Sequence, residues 1–138
     1  MDQPTVLLVE DMEPVRRLLT RILVDAGYRV LAAAAGLAAL DHTSQAAGTL
    51  DLALVDLGLE GEDGAILVEA MQRLQPGLPV MFMTGDIFLG RLHPLPGPVL
   101  LKPFTPDVLT ESIREYLATG ACARCLPPSS ILRRAGNE

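Results

Sequence analysis

Short hydrophobic runs alternate along this chain with longer segments in which apolar residues recur every three or four positions. The short runs are typical of buried β-strands, and the longer segments are typical of amphipathic helices. Five strands are predicted, over residues 5–10, 28–33, 50–56, 80–84 and 98–101. Helices are predicted through residues 15–23, 37–47, 65–74 and 106–117. This alternation favours an α/β fold with a parallel sheet.

The ends of the predicted helices carry residues that stop or start a helix. Gly27 and Gly48 stand where the first two helices should end, because glycine tolerates the left-handed turn found there. Pro76 stops the third helix. Thr105 is a good N-cap for the last helix, with Pro106 at its first position.

The segment from Gly85 to Pro98 breaks the alternation. A regular fold of five strand–helix units would place its fourth helix there, but the segment holds three prolines and three glycines. Proline inside a helix removes a hydrogen bond and clashes with the preceding turn, which costs about 3 kcal/mol or more. We therefore expect a short helix or a proline-rich loop in place of the fourth helix.

The bulk composition describes a globular protein of one domain. The chain has 138 residues, of which 49% are hydrophobic and 20% charged. No apolar stretch approaches the roughly 20 residues that span a bilayer, and no signal segment opens the chain. We predict one domain over residues 1–119, a tail over residues 120–138 without an output domain, and a cytoplasmic location. A net charge of -6 and 4% aromatic residues argue against nucleic-acid binding.

Three carboxylates and one lysine come directly after hydrophobic runs. Glu10 and Asp11 follow the first strand, Asp56 ends the third, and Lys102 follows the fifth. The carboxyl ends of parallel strands share one edge of a sheet, where ligands bind. Three acids at one edge repel each other unless a cation lies among them, and Mg²⁺ is the obvious candidate because it prefers oxygen ligands. These residues predict a site that handles phosphate.

Four short motifs, in this order and spacing, resemble those of a response-regulator receiver domain. They are Val-Leu-Leu-Val-Glu-Asp at 6–11, Leu-Val-Asp at 54–56, Met-Thr-Gly at 83–85 and Leu-Lys-Pro-Phe at 101–104. The resemblance covers about residues 5–118. It implies a doubly wound, flavodoxin-like (βα)5 fold with strand order 2-1-3-4-5.

The resemblance also implies a role for each site residue. Asp56 would take a phosphoryl group from the phosphohistidine of a sensor kinase or phosphotransfer protein. The resemblance implies that Asp11, Asp56 and the backbone carbonyl of Gly58 bind Mg²⁺ and that Glu10 holds it through a water. Thr84 and Lys102 would contact the phosphoryl group, and the Lys102–Pro103 bond would be cis. These roles suit phosphoryl transfer, which needs in-line positioning and charge neutralisation.

Other positions are predicted to influence hydrolysis of the acyl phosphate or to contact the partner kinase. Gly58 and Asp86 border the phosphate, so they should influence hydrolysis of the acyl phosphate. By resemblance, the partner kinase docks on Pro14, Val15 and Leu18, beside the basic side chains of Arg16 and Arg17.

The chain departs from the family pattern at three places. Val99 stands where many receivers carry an aromatic switch residue, and Phe104 is predicted to be a core residue and not its replacement. The proline-rich segment disfavours dimerisation through the usual surface. Cys122 and Cys125 form a C-x-x-C, predicted to be a reduced pair in an unstructured tail, with a metal site between two tails as an alternative.

The resulting prediction is a receiver that signals to an unknown downstream protein through altered protein contacts. It would catalyse only its own phosphorylation and dephosphorylation, and would not be a turnover enzyme. A receiver segment of a hybrid histidine kinase or phosphorelay is a close alternative. A haloacid-dehalogenase-type phosphatase is disfavoured because Gly58 replaces the second aspartate of its Asp-x-Asp motif. A pseudo-receiver that only binds partners would need a broken acidic site, and this one is intact.

Overall fold

The computed structural model describes residues 3–86 and 95–126, and its centre is a five-stranded parallel sheet of order β2-β1-β3-β4-β5. The strands are β1 (Thr5–Val9), β2 (Arg29–Ala33), β3 (Leu52–Asp56), β4 (Val80–Thr84) and β5 (Val99–Leu101). The described helices are α1 (Glu13–Asp25), α2 (Gly36–Ala46), α3 (Gly64–Leu74) and α4 (Pro106–Thr119), the last of which follows β5. This order of strands and helices confirms the predicted doubly wound fold.

The strands β1, β3 and β4 are buried on both faces of the sheet, which explains why they are almost wholly apolar, whereas the edge strand β2 is mostly exposed or half-buried. Alternate residues of each strand point to opposite faces, so Leu7 and Val9 lie in one layer while Val6 and Leu8 lie in the other. The first layer is covered by α2 and α3 through Ala39, Leu67, Val68 and Met71. The second is covered by α1 and α4 through Leu19, Leu23, Leu109 and Ile113, with Phe104 packed against it as predicted.

The helix ends agree with the predicted signals, with one addition. The Thr105 hydroxyl accepts a hydrogen bond from the Val108 N–H, which confirms it as an N-cap. Gly27 has φ 100° and Gly48 has φ 83°, the left-handed conformation that glycine adopts without strain. The addition is Asp63, whose carboxylate caps α3 by accepting from the Ala65 and Ile66 N–H groups.

Strand β3 begins two residues later than predicted, because a side chain takes the place of a strand partner. The amide of Gln75 bonds the Leu50 main chain on both sides, donating to its carbonyl at 2.8 Å and accepting from its N–H at 3.3 Å. Asp51 then turns the chain into the strand, and its carboxylate accepts from the Thr5 N–H at 2.7 Å. Hydrophobicity alone does not reveal such side-chain pairing.

The predicted unstructured tail is wrong for residues 120–126. Gly120 turns the chain back after α4, and Leu126 pairs antiparallel with Val99 on the outer edge of β5. Cys122 and Cys125, predicted to be reduced, form a disulfide with each other. The helical pattern in the sequence ends near Leu117. The pairing beyond it involves only Leu126 and Val99, and one residue pair produces no periodic pattern in a sequence.

Two further predictions concern the described residues only in part. The expected short helix or loop between Gly85 and Pro98 falls mostly on residues 87–94, which lie outside the described residues. Within 3–86 and 95–126, no helix combines the length and hydropathy needed to cross a membrane.

Candidate functional site

Three carboxylates meet at the carboxyl end of β1 and β3, as the sequence predicts. The strands are neighbours, with Val9 opposite Val55, so the residues that follow them are brought together. One carboxylate oxygen from each of Glu10, Asp11 and Asp56 lies within 4.8 Å of the others. Glu10 has no exposed surface and Asp56 is 6% exposed, whereas Asp11 is half-buried. Such a cluster needs a positive charge close by.

Lys102 supplies that positive charge in this structure. Its ammonium Nζ lies 2.9 Å from Glu10 Oε1 and 3.1 Å from Asp56 Oδ2. The Lys102–Pro103 peptide bond is cis, as the resemblance implied. The lysine therefore bridges two carboxylates that come from strands β1 and β3, although it follows β5 in the chain.

Glu10 and Lys102 shift each other's pKa. Burial raises the pKa of the Glu10 carboxyl, Asp56 adds to that rise, and Lys102 opposes it. For Lys102, burial acts to lower the pKa, but the hydrogen bonds and charges of Glu10 and Asp56 outweigh it and raise the pKa above its ordinary value. The ammonium is therefore charged at neutral pH.

Each oxygen of the Asp56 carboxylate accepts one hydrogen bond. Oδ1 accepts from the Gly58 N–H at 2.7 Å, and Oδ2 accepts from Lys102. The carboxylate plane is thereby fixed by a main-chain group on one side and a cation on the other. A Cβ atom added at Gly58 would lie 3.3 Å from Oδ1, so this glycine borders the acid directly.

Thr84 ends the neighbouring strand β4 and is almost fully buried. Its hydroxyl accepts from the Asp86 N–H at 3.0 Å and donates to the Asp86 carbonyl at 3.3 Å. The Thr84 carbonyl accepts from the Lys102 N–H at 2.8 Å, which joins the ends of β4 and β5. Thr84 and Lys102 are thus held at one edge of the sheet.

The loop after β3 is tied down at two points that the sequence did not indicate. The Glu60 N–H donates to Asp11 Oδ2 at 2.9 Å. The Glu62 carboxylate accepts from the Gly36 N–H, at 2.9 and 3.1 Å, where α2 begins without a side-chain cap of its own. A carboxylate is favourable at a helix N-terminus. These contacts join residues far apart in the chain, so local spacing carries no signal for them.

Arg16 and Arg17 have different surroundings, although the sequence suggests one basic patch. The Arg16 guanidinium donates to the main-chain carbonyls of Glu10 at 3.0 Å and Asp11 at 3.3 Å. It therefore holds the acidic segment against the first turn of α1. Arg17 and Arg21 are exposed, and they pair with Glu13 and Asp25, each one turn away in the helix. Exposed pairs of that kind contribute little to stability.

The predicted docking residues lie beside the acidic cluster on α1, and they differ in exposure. Pro14 is exposed and Leu18 is 60% exposed, whereas Val15 is partly buried against the second core layer. Met12, which precedes the helix, is also 60% exposed. The start of α1 thus presents apolar side chains to solvent next to the site.

The donor set suits a hard divalent cation. Mg²⁺ is bound in proteins by one or two carboxylates with waters or phosphate completing its shell. Glu10, Asp11 and Asp56 offer carboxylate oxygens at mutual distances that one small ion could bridge. Burial raises the pKa of the Glu10 carboxyl, and a nearby cation favours its ionised form.

Comparison with known proteins identifies the class that this fold and site define. The family model described as "response regulator receiver domain" matches residues 6–93, and the chain belongs to that family. Members of this family are phosphoacceptor domains of two-component signalling, and they are signalling domains and not classical enzymes.

Two curated relatives show the range of proteins in which this domain occurs. The sensor kinase CckA of Brucella abortus is 32% identical over 117 residues, covering 82% of this chain and 12% of that protein. The sporulation initiation phosphotransferase F of Bacillus subtilis is 29% identical over 116 residues, covering 81% of this chain and 92% of that protein. The chain therefore spans a small part of the first relative and nearly all of the second.

Solved structures agree with the fold. The crystal structure of the receiver domain from the hybrid histidine kinase CckA superposes with a TM-score of 0.72 at 34% identity, covering 82% of this chain and 98% of that chain. A CheY-like receiver domain from Methanospirillum hungatei gives a TM-score of 0.71 at 26% identity, covering 85% and 95%. These matches support a receiver over a phosphatase of the haloacid-dehalogenase type.

Proposed function

We propose that Asp56 is the phosphoacceptor of this receiver, taking a phosphoryl group from the phosphohistidine of a sensor kinase or histidine phosphotransfer protein. The observation that supports this most is how the Asp56 carboxylate is buried and held in place. Asp56 is nearly buried, it is fixed by Gly58 and Lys102, and it lies among acids that suit a metal ion. A carboxylate fixed in this way is positioned to act as the nucleophile in phosphoryl transfer.

The transfer forms one bond and breaks another. An Asp56 carboxylate oxygen bonds to phosphorus as the bond from phosphorus to the donor imidazole nitrogen breaks, so the electron pair leaves with the imidazole. Bound Mg²⁺ would neutralise charge on the phosphoryl oxygens. Glu10, Asp11, Asp56 and the Gly58 carbonyl are the groups proposed to hold it. Lys102 then exchanges its contact with Asp56 Oδ2 for one with a phosphoryl oxygen.

Thr84 is proposed to respond to the phosphoryl group. Its hydroxyl is now occupied by the main chain of Asp86. To donate to a phosphoryl oxygen, the hydroxyl must give up its bond to the Asp86 carbonyl. That exchange would loosen the contact between Thr84 and Asp86. Val99, the residue three before Lys102, is 1% exposed and has no aromatic ring to swing, so the change must be carried by other side chains.

The proposed setting is cytoplasmic, with a receiver unit over residues 1–119 that residues 120–126 extend by their return to β5. The proposed output is an altered contact with a downstream protein, with no role for nucleic acid or membrane. Both a separate receiver and a receiver segment of a hybrid kinase or phosphorelay are consistent with the relatives found. Its own phosphorylation and dephosphorylation are the only reactions it is proposed to catalyse.

Replacing Asp56 with asparagine should abolish phosphorylation, because the amide is not a nucleophile. We expect wild-type protein incubated with acetyl phosphate and Mg²⁺ to gain the mass of one phosphoryl group, and Asp56→Asn to gain none. Asp51→Asn is a matched control, since Asp51 precedes β3 at the end opposite to Asp56 and should leave phosphorylation intact. Intact-protein mass spectrometry makes the measurement. Equal labelling of Asp56→Asn and wild type would contradict the proposal.

We also propose that the start of α1, with Pro14, Val15 and Leu18, receives the helices of the phosphodonor protein, steered by exposed arginines. The double variant Arg17→Glu, Arg21→Glu should slow transfer from a phosphorylated histidine phosphotransfer domain by about three- to tenfold, because charge at an interface rim mainly affects the association rate. Phosphorylation by acetyl phosphate should be unchanged. Arg16 is left intact because it holds the main chain of Glu10 and Asp11. Equal slowing with both donors would rule out a docking role.

Gly58 and Asp86 are proposed to influence the lifetime of the acyl phosphate. A side chain at position 58 would lie against Asp56 Oδ1 and obstruct the approach of water. We expect Gly58→Asn to lengthen the lifetime of phosphorylated protein several-fold after removal of the donor. Gly61→Asn, in the same loop, is the control, since no atom lies near its added Cβ and asparagine tolerates the left-handed φ of 73° there. Identical decay of wild type and Gly58→Asn would refute the idea.

A further inference from the structure

The segment after α4 returns to the sheet and covers its outer edge. The Val99 N–H donates to the Leu126 carbonyl at 3.0 Å, and the Leu126 N–H donates to the Val99 carbonyl at 2.8 Å. On its other side, β5 pairs with β4, where the Phe82 N–H donates to the Pro98 carbonyl at 2.8 Å. Leu126 also packs against the first core layer. Residues 121–126 therefore act as a short clasp on an edge strand.

A disulfide closes the turn that leads into this clasp. Cys122 and Cys125 have Cα atoms 5.4 Å apart, and the Cys125 N–H donates to the Cys122 carbonyl at 3.3 Å. Both cysteines are half-buried and pack against the second core layer. The cross-link thus fixes the turn directly before Leu126, the residue that pairs with β5.

The other contacts of the turn are weaker or more exposed. Arg124 pairs with Glu111 at 2.7 Å, but both side chains are more than 40% exposed, so solvent screens the pair. The Ala123 N–H donates to the Glu115 carboxylate, which is also at the surface. Loss of the covalent link would leave the clasp held by these surface contacts, by the hydrogen bonds between Thr119 and Ala121, and by the pairing of Leu126 with Val99.

We propose that Cys122–Cys125 is a site of thiol–disulfide exchange with small thiols, and that its redox state sets how firmly residues 121–126 hold the edge of β5. Ala121, Ala123 and Arg124 are exposed, so the turn that carries the disulfide faces solvent and a reagent can approach. Disulfides in surface turns are the ones that exchange most readily, and in a reducing compartment a disulfide is usually transient or redox-sensing. This inference does not depend on the phosphoacceptor role of Asp56.

The exchange balances with a dithiol as the reductant. A thiolate of the dithiol attacks one cysteine sulfur, the Cys122–Cys125 bond breaks, and a mixed disulfide forms. The second thiol of the reagent then displaces that cysteine. Two electrons pass to the protein, two protons end on the cysteine thiols, and the reagent leaves as its cyclic disulfide. In the reduced protein the N–H and carbonyl of Val99 on the outer edge are more accessible to water.

The test uses the full chain in buffers of oxidised and reduced dithiothreitol at neutral pH. Alkylation followed by mass spectrometry counts free thiols, and NMR hydrogen exchange follows single amides. We expect both thiols to appear together in one two-electron transition at a potential independent of protein concentration. We also expect the Val99 amide to exchange about tenfold faster or more after reduction, because local opening sets the exchange rate. The Phe82 amide, on the far side of β5, should change little.

Two variants separate the disulfide from the strand pairing. The double variant Cys122→Ser, Cys125→Ser should show fast Val99 exchange in every buffer. Leu126→Pro removes the N–H that donates to the Val99 carbonyl and so weakens the pairing, and it should also show fast Val99 exchange while its thiols still titrate. Free thiols in fully oxidised dithiothreitol would overturn the proposal. So would equal Val99 exchange in the two redox states, or cross-linking between copies in place of the intramolecular bond.

Discussion

The contact of one ammonium with two buried carboxylates is the constraint on which this site depends. Glu10 is wholly removed from solvent, and an ionised carboxyl in that position is costly unless a cation pairs with it. Lys102 meets that need by contacting both Glu10 and Asp56. The site is therefore held ready by a protein cation, and a metal ion or a phosphoryl group must share or displace that contact.

The rest of the fold positions the residues that make this contact. Two apolar layers fix the register of β1, β3, β4 and β5, so that the residues after each strand meet at one edge. The contacts around the edge then immobilise the loops. Arg16 holds the acidic segment, and Glu62 holds the loop after β3 to the start of α2. Phosphoryl transfer, which depends on positioning more than on covalent chemistry, benefits from such rigidity.

Much of this arrangement could be predicted from the sequence because it depends on local patterns. Buried strands, capped helices and acids placed after strands are visible as runs and spacings, and Thr105 is a case in which the structure agrees in detail. The contacts that were missed join distant parts of the chain. Gln75 pairs with Leu50, Glu62 with Gly36 and Leu126 with Val99, and no spacing rule links such residues. Arg16 and Arg17 look equivalent in the sequence, because only their contacts in the folded protein distinguish them.

The most direct test of the charge-balance account is the unfolding free energy of Lys102→Met, with and without Mg²⁺, measured by urea denaturation. Without metal, the free energy of unfolding of the variant should fall by about 2 kcal/mol or more. Breaking a fully buried ion pair costs about 3–5 kcal/mol, and the cost is lower here because the Lys102 side chain is a quarter exposed. Mg²⁺ should then stabilise the variant more than wild type, because no ammonium competes for Glu10 and Asp56. Lys102→Arg, which keeps the charge, should lose less. Equal stability of Lys102→Met and wild type without metal, with the same gain from Mg²⁺, would contradict the account.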